Sequence, residues 1–221
     1  MSLELNAVYN MDCMEGMKDI PDNYFELAIV DPPYGIGRDK GFEGFGGFGK
    51  PIARTRYVGE WDNKPPEKEY FDDLLRVTKN AIIWGGNFFT DKLPVSGHWI
   101  FWDKQNTMPT FGDGELAYTS FFKRTSVKRF VYEWNGLLSK RKEERIHATQ
   151  KPVDLYKWLL ANYAKPGDKI LDTHVGSGSS IIACIDMGFD YMGFERDDDY
   201  YEAMQDRIYH FTRQTVLEGI S

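Results

Sequence analysis

Short apolar runs alternate with amphipathic stretches along the whole chain, and the runs have the length of strands. Ala81-Ile82-Ile83-Trp84 and the second half of Tyr24-Phe25-Glu26-Leu27-Ala28-Ile29-Val30 are β-prone and continuous in apolar character, and Lys169-Ile170-Leu171-Asp172 reads as a further strand. That is the pattern of strands buried on both faces of a parallel sheet. Further strands are expected over 7–10, 98–102 and 191–195, with a strand pair formed by 115–122 and 129–134. Between them, apolar positions recur at helical spacing. Met11, Met14 and Met17 stripe the segment that enters a helix over 13–20. Tyr70, Leu74, Leu75 and Val77 give 67–78 its buried side, and Leu155, Trp158, Leu159 and Tyr163 do the same for 153–164. Helices are also expected over 180–187 and 199–212, and Asn87 is placed to cap a short segment running to Leu93. Strands alternating with helices predict an α/β fold, a mainly parallel twisted sheet with helices on both faces.

One segment breaks the pattern. Seven glycines fall between Gly35 and Gly49, interleaved with Phe42, Phe45 and Phe48. Such a stretch cannot hold a stable helix, and a flap over about 35–60 is expected, with a plain linker as the alternative. With 221 residues the chain is read as one domain, 1–221, carrying that flap and a small insertion over about 120–146.

Composition narrows the class. Charged residues make up 28% of the chain and no apolar run approaches a membrane span, so a soluble, cytoplasmic protein is expected with no membrane partner. Cys13 and Cys184 lack Cys-x-x-Cys spacing and read as reduced, buried thiols. The net charge of −7 argues against a polyanionic partner, but its distribution reverses the argument. Between Phe121 and Arg145 eight cations face three carboxylates, whereas between Asp186 and Asp206 eight carboxylates face Arg196 alone. A basic stretch on an acidic body can bind a phosphate backbone locally, although a charge run is commonly only a solvated face.

Two constellations carry chemistry. Asp31-Pro32-Pro33-Tyr34 stands at the carboxyl end of the 27–30 strand, where open α/β sheets bind ligands. It offers a carboxylate, carbonyls in a turn stiffened by two prolines, and an aromatic face. That set suits a planar group bearing an NH2, while Pro-Pro is also frequent in ordinary turns. The second constellation is Leu171-Asp172-Thr173-His174-Val175-Gly176-Ser177-Gly178-Ser179, a strand, glycine turn and helix start. Glu195 ends the next strand, at the spacing from which an acid reaches ribose hydroxyls in nucleotide-binding βαβ units. Without a third glycine or a Gly-Lys-Ser/Thr sequence, a nucleoside lacking a pyrophosphate fits better than a dinucleotide. The histidines, His98, His147, His174 and His210, show no metal-ligand spacing, so no metal is expected. No Gly-x-Ser-x-Gly is present to mark an esterase serine, and no Pro-Cys dipeptide to attack cytosine carbon 5.

These motifs together resemble those of the S-adenosylmethionine-dependent DNA amino-methyltransferases. That family carries an Asp-Pro-Pro-Tyr catalytic tetrapeptide and a Phe-x-Gly-x-Gly cofactor loop. The tetrapeptide comes first here, which resembles the circularly permuted β class. In that class a His-Pro-Thr-Gln-Lys-Pro segment precedes the cofactor loop, and His147-Ala148-Thr149-Gln150-Lys151-Pro152 is similar, with Ala148 for proline. An acid near the first strand end is also usual, and Asp12 lies there. The resemblance spans nearly the whole chain and departs at His174, which stands where the family more often has phenylalanine.

The resemblance implies a Rossmann-like methyltransferase fold and S-adenosylmethionine as cofactor. By it, Asp12, Asp172 and Glu195 hold the adenosine, and Gly176, Ser177 and Gly178 line the methionine end or the turn. Thr149, Gln150 and Lys151 bind the methionine carboxylate, and His174 packs against the cofactor. Asp31, Pro32, Pro33 and Tyr34 form the catalytic motif, with Asp31 also lining the cofactor site. Asp31 and the Pro32 carbonyl accept from the base amine, and Tyr34 stacks on the flipped base. Double-stranded DNA is the expected partner, contacted by Lys50, Arg54 and Arg56 from the flap and by Lys123, Arg124, Lys128, Arg129, Lys140, Arg141 and Lys142. The implied reaction is adenine-N6 methylation of DNA, with cytosine-N4 methylation and an inactive nucleic-acid-binding subunit as alternatives. A homodimer is compatible with the class.

Overall fold

A computed structural model describes residues 3–37, 64–106, 112–133, 146–147 and 149–217. Its centre is one eight-stranded sheet in the order β1-β8-β7-β2-β3-β5-β4-β6. The strands are β1 (Ala7–Asn10), β2 (Leu27–Val30), β3 (Ala81–Trp84), β4 (Trp99–Asp103), β5 (Gly114–Thr119), β6 (Lys128–Val131), β7 (Lys169–Asp172) and β8 (Asp190–Glu195). Every neighbouring pair is parallel except those made by β5, which runs antiparallel to both β3 and β4. The continuous apolar runs of β2 and β3 lie at the centre and are buried along their whole length.

Alternation along β2 divides the core. Ala28 and Val30 point into one cluster with Met17, Tyr70, Phe71, Leu74 and Phe194. Leu27 and Ile29 point into the other, with Trp84, Trp102, Leu155, Leu159 and Cys184. Helices α1 (Cys13–Met17) and α2 (Lys68–Val77) cover the first face, and α3 (Val153–Tyr163) and α4 (Ser179–Met187) the second. Helix α5 (Asp198–Leu217) packs against α4 and β8, with Met204 buried beside Val8, Val175 and Ile181. Both thiols, Cys13 and Cys184, are free and buried.

The strand order creates one break in direction. From β7 the chain crosses through α4 to β8 on one side, and from β2 it crosses through α2 to β3 on the other. Adjacent parallel strands whose connections diverge leave a crevice outside their carboxyl ends. The carboxyl ends of β1, β2, β3, β4, β7 and β8 and the amino end of the reversed β5 all lie on that edge.

Three expectations are corrected. The segments 115–122 and 129–134 do not pair with each other: β4 lies between β5 and β6, because β6 returns to pair in parallel with β4. Asn87 is not a cap: Gly85, in the left-handed region at φ 68°, begins the 3-10 turn Gly86–Phe88, and Asn87 lies inside it. A Cβ on Gly85 would meet the Tyr34 ring at 2.2 Å, so close seating of that ring requires glycine there. The first helix is shorter than 13–20, ending at Met17. The expected flap beyond Gly37 and much of the 120–146 insertion lie outside the described residues.

Helix α1 approaches β8 through Gly16, where an added Cβ would lie 2.3 Å from the fully buried Phe194 ring. Gly16→Ala is expected to lower stability by about 1–3 kcal/mol through overpacking, read as a lower urea midpoint with an unchanged slope.

Candidate active site

The crevice is a cavity of about 810 Å3 outside the carboxyl ends of β1, β2, β7 and β8. Asp12, Asp31, Pro33, Thr149, Gln150, Lys151, His174, Gly176, Ser177 and Glu195 line it, so the structure brings together segments more than 100 residues apart. Asp12 is fixed as the N-cap of α1, its carboxylate accepting from the Met14 amide at 2.8 Å. Glu195 ends β8, and its two oxygens accept the Gly176 and Asp197 amides at 2.8 and 3.0 Å. Burial raises its pKa above the ordinary value against those hydrogen bonds.

Two expected residues of the loop do not face the cavity. Asp172 is buried behind it, accepting from the His174 amide at 3.0 Å and from the Ser180 hydroxyl at 2.5 Å. It therefore ties the glycine turn to the start of α4, and burial raises its pKa to about 7. Gly178 faces Met204 of α5. His174 does line the cavity, edge-on to Tyr70, with Nδ1 3.0 Å from the Thr173 hydroxyl. Burial lowers its pKa to about 4, so it is a neutral ring at neutral pH.

Asp31 follows β2 directly. Tyr34 Oη donates to its Oδ1 at 2.7 Å, and Lys151 Nζ donates to its Oδ2 at 2.5 Å. Lys151 also lies 3.2 Å from Glu115 Oε2, and Lys104 donates to the other oxygen of Glu115. The ammonium of Lys151 is 4% exposed and passes over the Trp84 ring at 5.5 Å. Lys151, expected at a ligand carboxylate, is thus held by two carboxylates of the chain itself. A buried ammonium needs such partners, and the reversed strand β5 brings Glu115 to it. Tyr34 stacks on Phe88 with centroids 5.0 Å apart.

Several residues here were given no site role by the sequence. Tyr70 donates to or accepts from Thr173 at 2.6 Å and walls the cavity beside Tyr156. His147 lies 4.2 Å from Tyr200, ring to ring, and its Nδ1 accepts from the Thr149 amide at 3.2 Å, which puts the ring proton on Nε2. Burial, then Lys151, lowers its pKa to about 4. Glu115 and Lys104 belong to no motif and become visible only through the sheet register.

The expected DNA-contacting cations separate. Lys128 and Arg129 are exposed on the edge strand β6. Lys123 and Arg124 occupy the turn between the carboxyl end of β5 and the amino end of β6, on the sheet edge opposite Asp31. Arg124 there covers the Phe121 and Tyr163 rings at 4.9 and 5.1 Å. Antiparallel β5 reverses the direction in which its following turn points, and this puts both side chains far from the cavity. Lys50, Arg54, Arg56, Lys140, Arg141 and Lys142 lie outside the described residues. Among the described residues no cluster of His, Cys, Asp and Glu could hold a metal, and no helix is long and apolar enough to cross a membrane.

Burial would raise the pKa of Glu115, but Lys151 and Lys104 outweigh it and lower the value to about 2. Its pairing contributes stability that is present above the ordinary 4.5 and lost as pH falls through about 2. Lys151→Met leaves two buried carboxylates with one cation fewer, an expected cost of about 3–5 kcal/mol at pH 7 in urea unfolding. That cost is expected to shrink as the pH falls and the carboxylates protonate.

Known proteins resemble this chain along most of its length. Residues 102–206 match a family model described as DNA methylase. The type II methyltransferase M.HinfI of Haemophilus influenzae is 25% identical over 92% of this chain and 68% of its own length. Type II methyltransferase M2.MboI of Moraxella bovis is 24% identical over 93% of this chain and 88% of its own. The M1.HpyAVI–SAM complex superposes with a TM-score of 0.59 at 21% identity, covering 91% of this chain and 98% of that one. The cytosine-N4-specific PvuII DNA methyltransferase gives 0.60 at 12% identity, covering 99% of this chain and 94% of that one. The fold, the relatives along nine-tenths of the chain and the family match over residues 102–206 agree, and the chain is similar to DNA methyltransferases along most of its length.

Proposed function

We propose that the protein methylates the exocyclic N6 of adenine in double-stranded DNA, with S-adenosylmethionine as the methyl donor. The observation that carries this reading is that Asp31 and the glycine turn with Glu195 open onto the same cavity at the switch point of the sheet. Adenine is preferred over cytosine because the tetrapeptide begins with Asp.

The residues present fit the cofactor. The cavity volume falls within the usual range for small-molecule sites. Each Glu195 oxygen, after accepting one backbone amide, keeps a lone pair for a ribose hydroxyl. Asp12, Thr149, Gln150 and Ser177 supply further polar groups, and the neutral His174 ring and Tyr70 supply apolar contact. When bound, S-adenosylmethionine supplies an electrophilic methyl group on a sulfonium.

The chain's own task is to make an aromatic amine nucleophilic. Its lone pair is delocalised into the base, and acceptors for its two N–H groups let the nitrogen pyramidalise. Asp31 and the Pro32 carbonyl are those acceptors, held in place before the base arrives, so positive charge developing on nitrogen meets a fixed carboxylate. The carboxylate oxygens, with Tyr34 on one and Lys151 on the other, each retain a lone pair for the amine. Tyr34 supplies the stacking surface for a base extruded from the duplex. Restriction–modification is the setting suggested by the type II relatives.

Asp31→Asn is expected to abolish methyl transfer while retaining cofactor affinity, measured by calorimetric titration alongside a tritium-transfer assay. Nucleoside analysis of the methylated DNA should give N6-methyladenine; N4-methylcytosine would reassign the base, and full turnover by Asp31→Asn would remove the mechanism. Because Lys128 and Arg129 run along the edge strand β6 toward the active edge whereas Lys123 and Arg124 stay in the turn at its opposite end, Lys128→Ala/Arg129→Ala should weaken DNA binding and flatten its dependence on salt. Lys123→Ala/Arg124→Ala should leave the salt slope within error of the parent.

A further inference from the structure

Glu115 is a buried carboxylate that none of the steps above uses. It stands near the amino end of β5, the one reversed strand, and this is what carries it to the active edge. Its oxygens are divided between two cations. Lys104, which follows β4, takes Oε1, and Lys151 lies 3.2 Å from Oε2. Lys151 in turn reaches Asp31 Oδ2 at 2.5 Å and Tyr34 Oη at 3.3 Å. The resulting chain, Lys104–Glu115–Lys151–Asp31, alternates in sign and is mostly withdrawn from water, with side-chain exposures of 20%, 16%, 4% and 15%.

A lysine ammonium on a four-carbon stem is a mobile point charge. Paired with Asp31 alone, it could swing round that carboxylate and rotate it. Glu115 anchors it from the opposite side and is itself anchored by Lys104. From the geometry we infer that Glu115 is a positioning residue for the transfer reaction: through Lys151 it fixes the rotation of the Asp31 carboxylate, so that Oδ2 stays with the ammonium and Oδ1 stays on the side of Tyr34, where the base is received. This rests on the methyltransferase reading and adds to it a residue that does not itself touch base or cofactor. The surroundings support it: Lys151 is buried over the Trp84 and Tyr34 rings, which leave the ammonium little room to find another acceptor.

The test compares the full-length parent, Glu115→Gln and Glu115→Asp in steady-state methylation of DNA, with cofactor affinity and unfolding midpoint measured on each. Gln keeps the shape and removes the charge; Asp keeps the charge and shortens the reach. Glu115→Gln is expected to lower kcat about ten- to a hundredfold, as a misplaced catalytic group does, with KM for DNA and cofactor affinity within about threefold of the parent. Glu115→Asp is expected to recover part of the loss in kcat. An unchanged kcat in Glu115→Gln overturns the inference. So does a loss shared equally by cofactor affinity and kcat, or one that Glu115→Asp does not relieve although the protein is folded, because either marks a purely structural side chain. A parent protein that methylates no DNA overturns the functional reading and this inference together, whereas an active parent with an indifferent Glu115→Gln overturns the inference alone.

Discussion

Everything at the active edge depends on the divergence of the chain between β7 and β2. The two strands are hydrogen-bonded neighbours, yet one leads away through α4 and the other through α2. The gap left above them cannot be filled by either connection, so it is a cavity by construction rather than by local sequence. The residues around it are those that end strands, and in this chain they are acids: Asp31 after β2 and Glu195 ending β8 line it, and Asp172 ending β7 lies behind it. Carboxylates gathered around one crevice repel one another unless each is given something to hold. Backbone amides hold Glu195, a serine hydroxyl and an amide hold Asp172, and the ammonium of Lys151 holds Asp31.

Only the last of these holds requires a charge from elsewhere in the chain, and that explains the role of the antiparallel strand. A buried ammonium costs several kcal/mol in lost hydration and is tolerated only with excellent partners. Reversing β5 delivers its amino end, and Glu115 with it, to the edge at which all other strands deliver their carboxyl ends. The same reversal sends the Phe121–Val127 turn to the opposite edge. One topological feature therefore completes the charge balance of the site and removes Lys123 and Arg124 from it.

The sequence made local features legible and left the non-local ones out of reach. The run 81–84 located β3 to the residue, because a strand buried on both faces has no polar position to blur its ends; 169–172 matched β7, and β2 fell within the apolar second half of 24–30. The motifs placed Asp31, Glu195 and the glycine turn at strand ends. The switch point then joined them in one cavity. The partner of Lys151 could not be read, since Glu115 is 36 residues away in a segment whose direction no local pattern reports. Asp172 misled for a related reason: an acid at a strand end can face the crevice or turn back to the following helix, and the hydroxyl that decides this, Ser180, lies inside that helix, two residues beyond Gly178. The adjacency of 115–122 and 129–134 in sequence likewise suggested a hairpin, where the sheet inserted β4.

Charge is arranged along the sheet as well as at its edge. The acidic stretch from Asp186 to Asp206 belongs to the end of α4, β8 and α5, beside the edge strand β1, while Lys128 and Arg129 stand on the other edge strand, β6. Seven strand spacings separate the two edges, roughly 30 Å, several times the Debye length of physiological salt. At that separation the acidic end does not cancel the field of the basic end. A polyanion approaching the molecule is drawn to the β6 side and repelled from the β1 side. A net charge of −7 is then compatible with a polyanionic partner: the excess negative charge stands toward the β1 end of the sheet, away from Lys128 and Arg129.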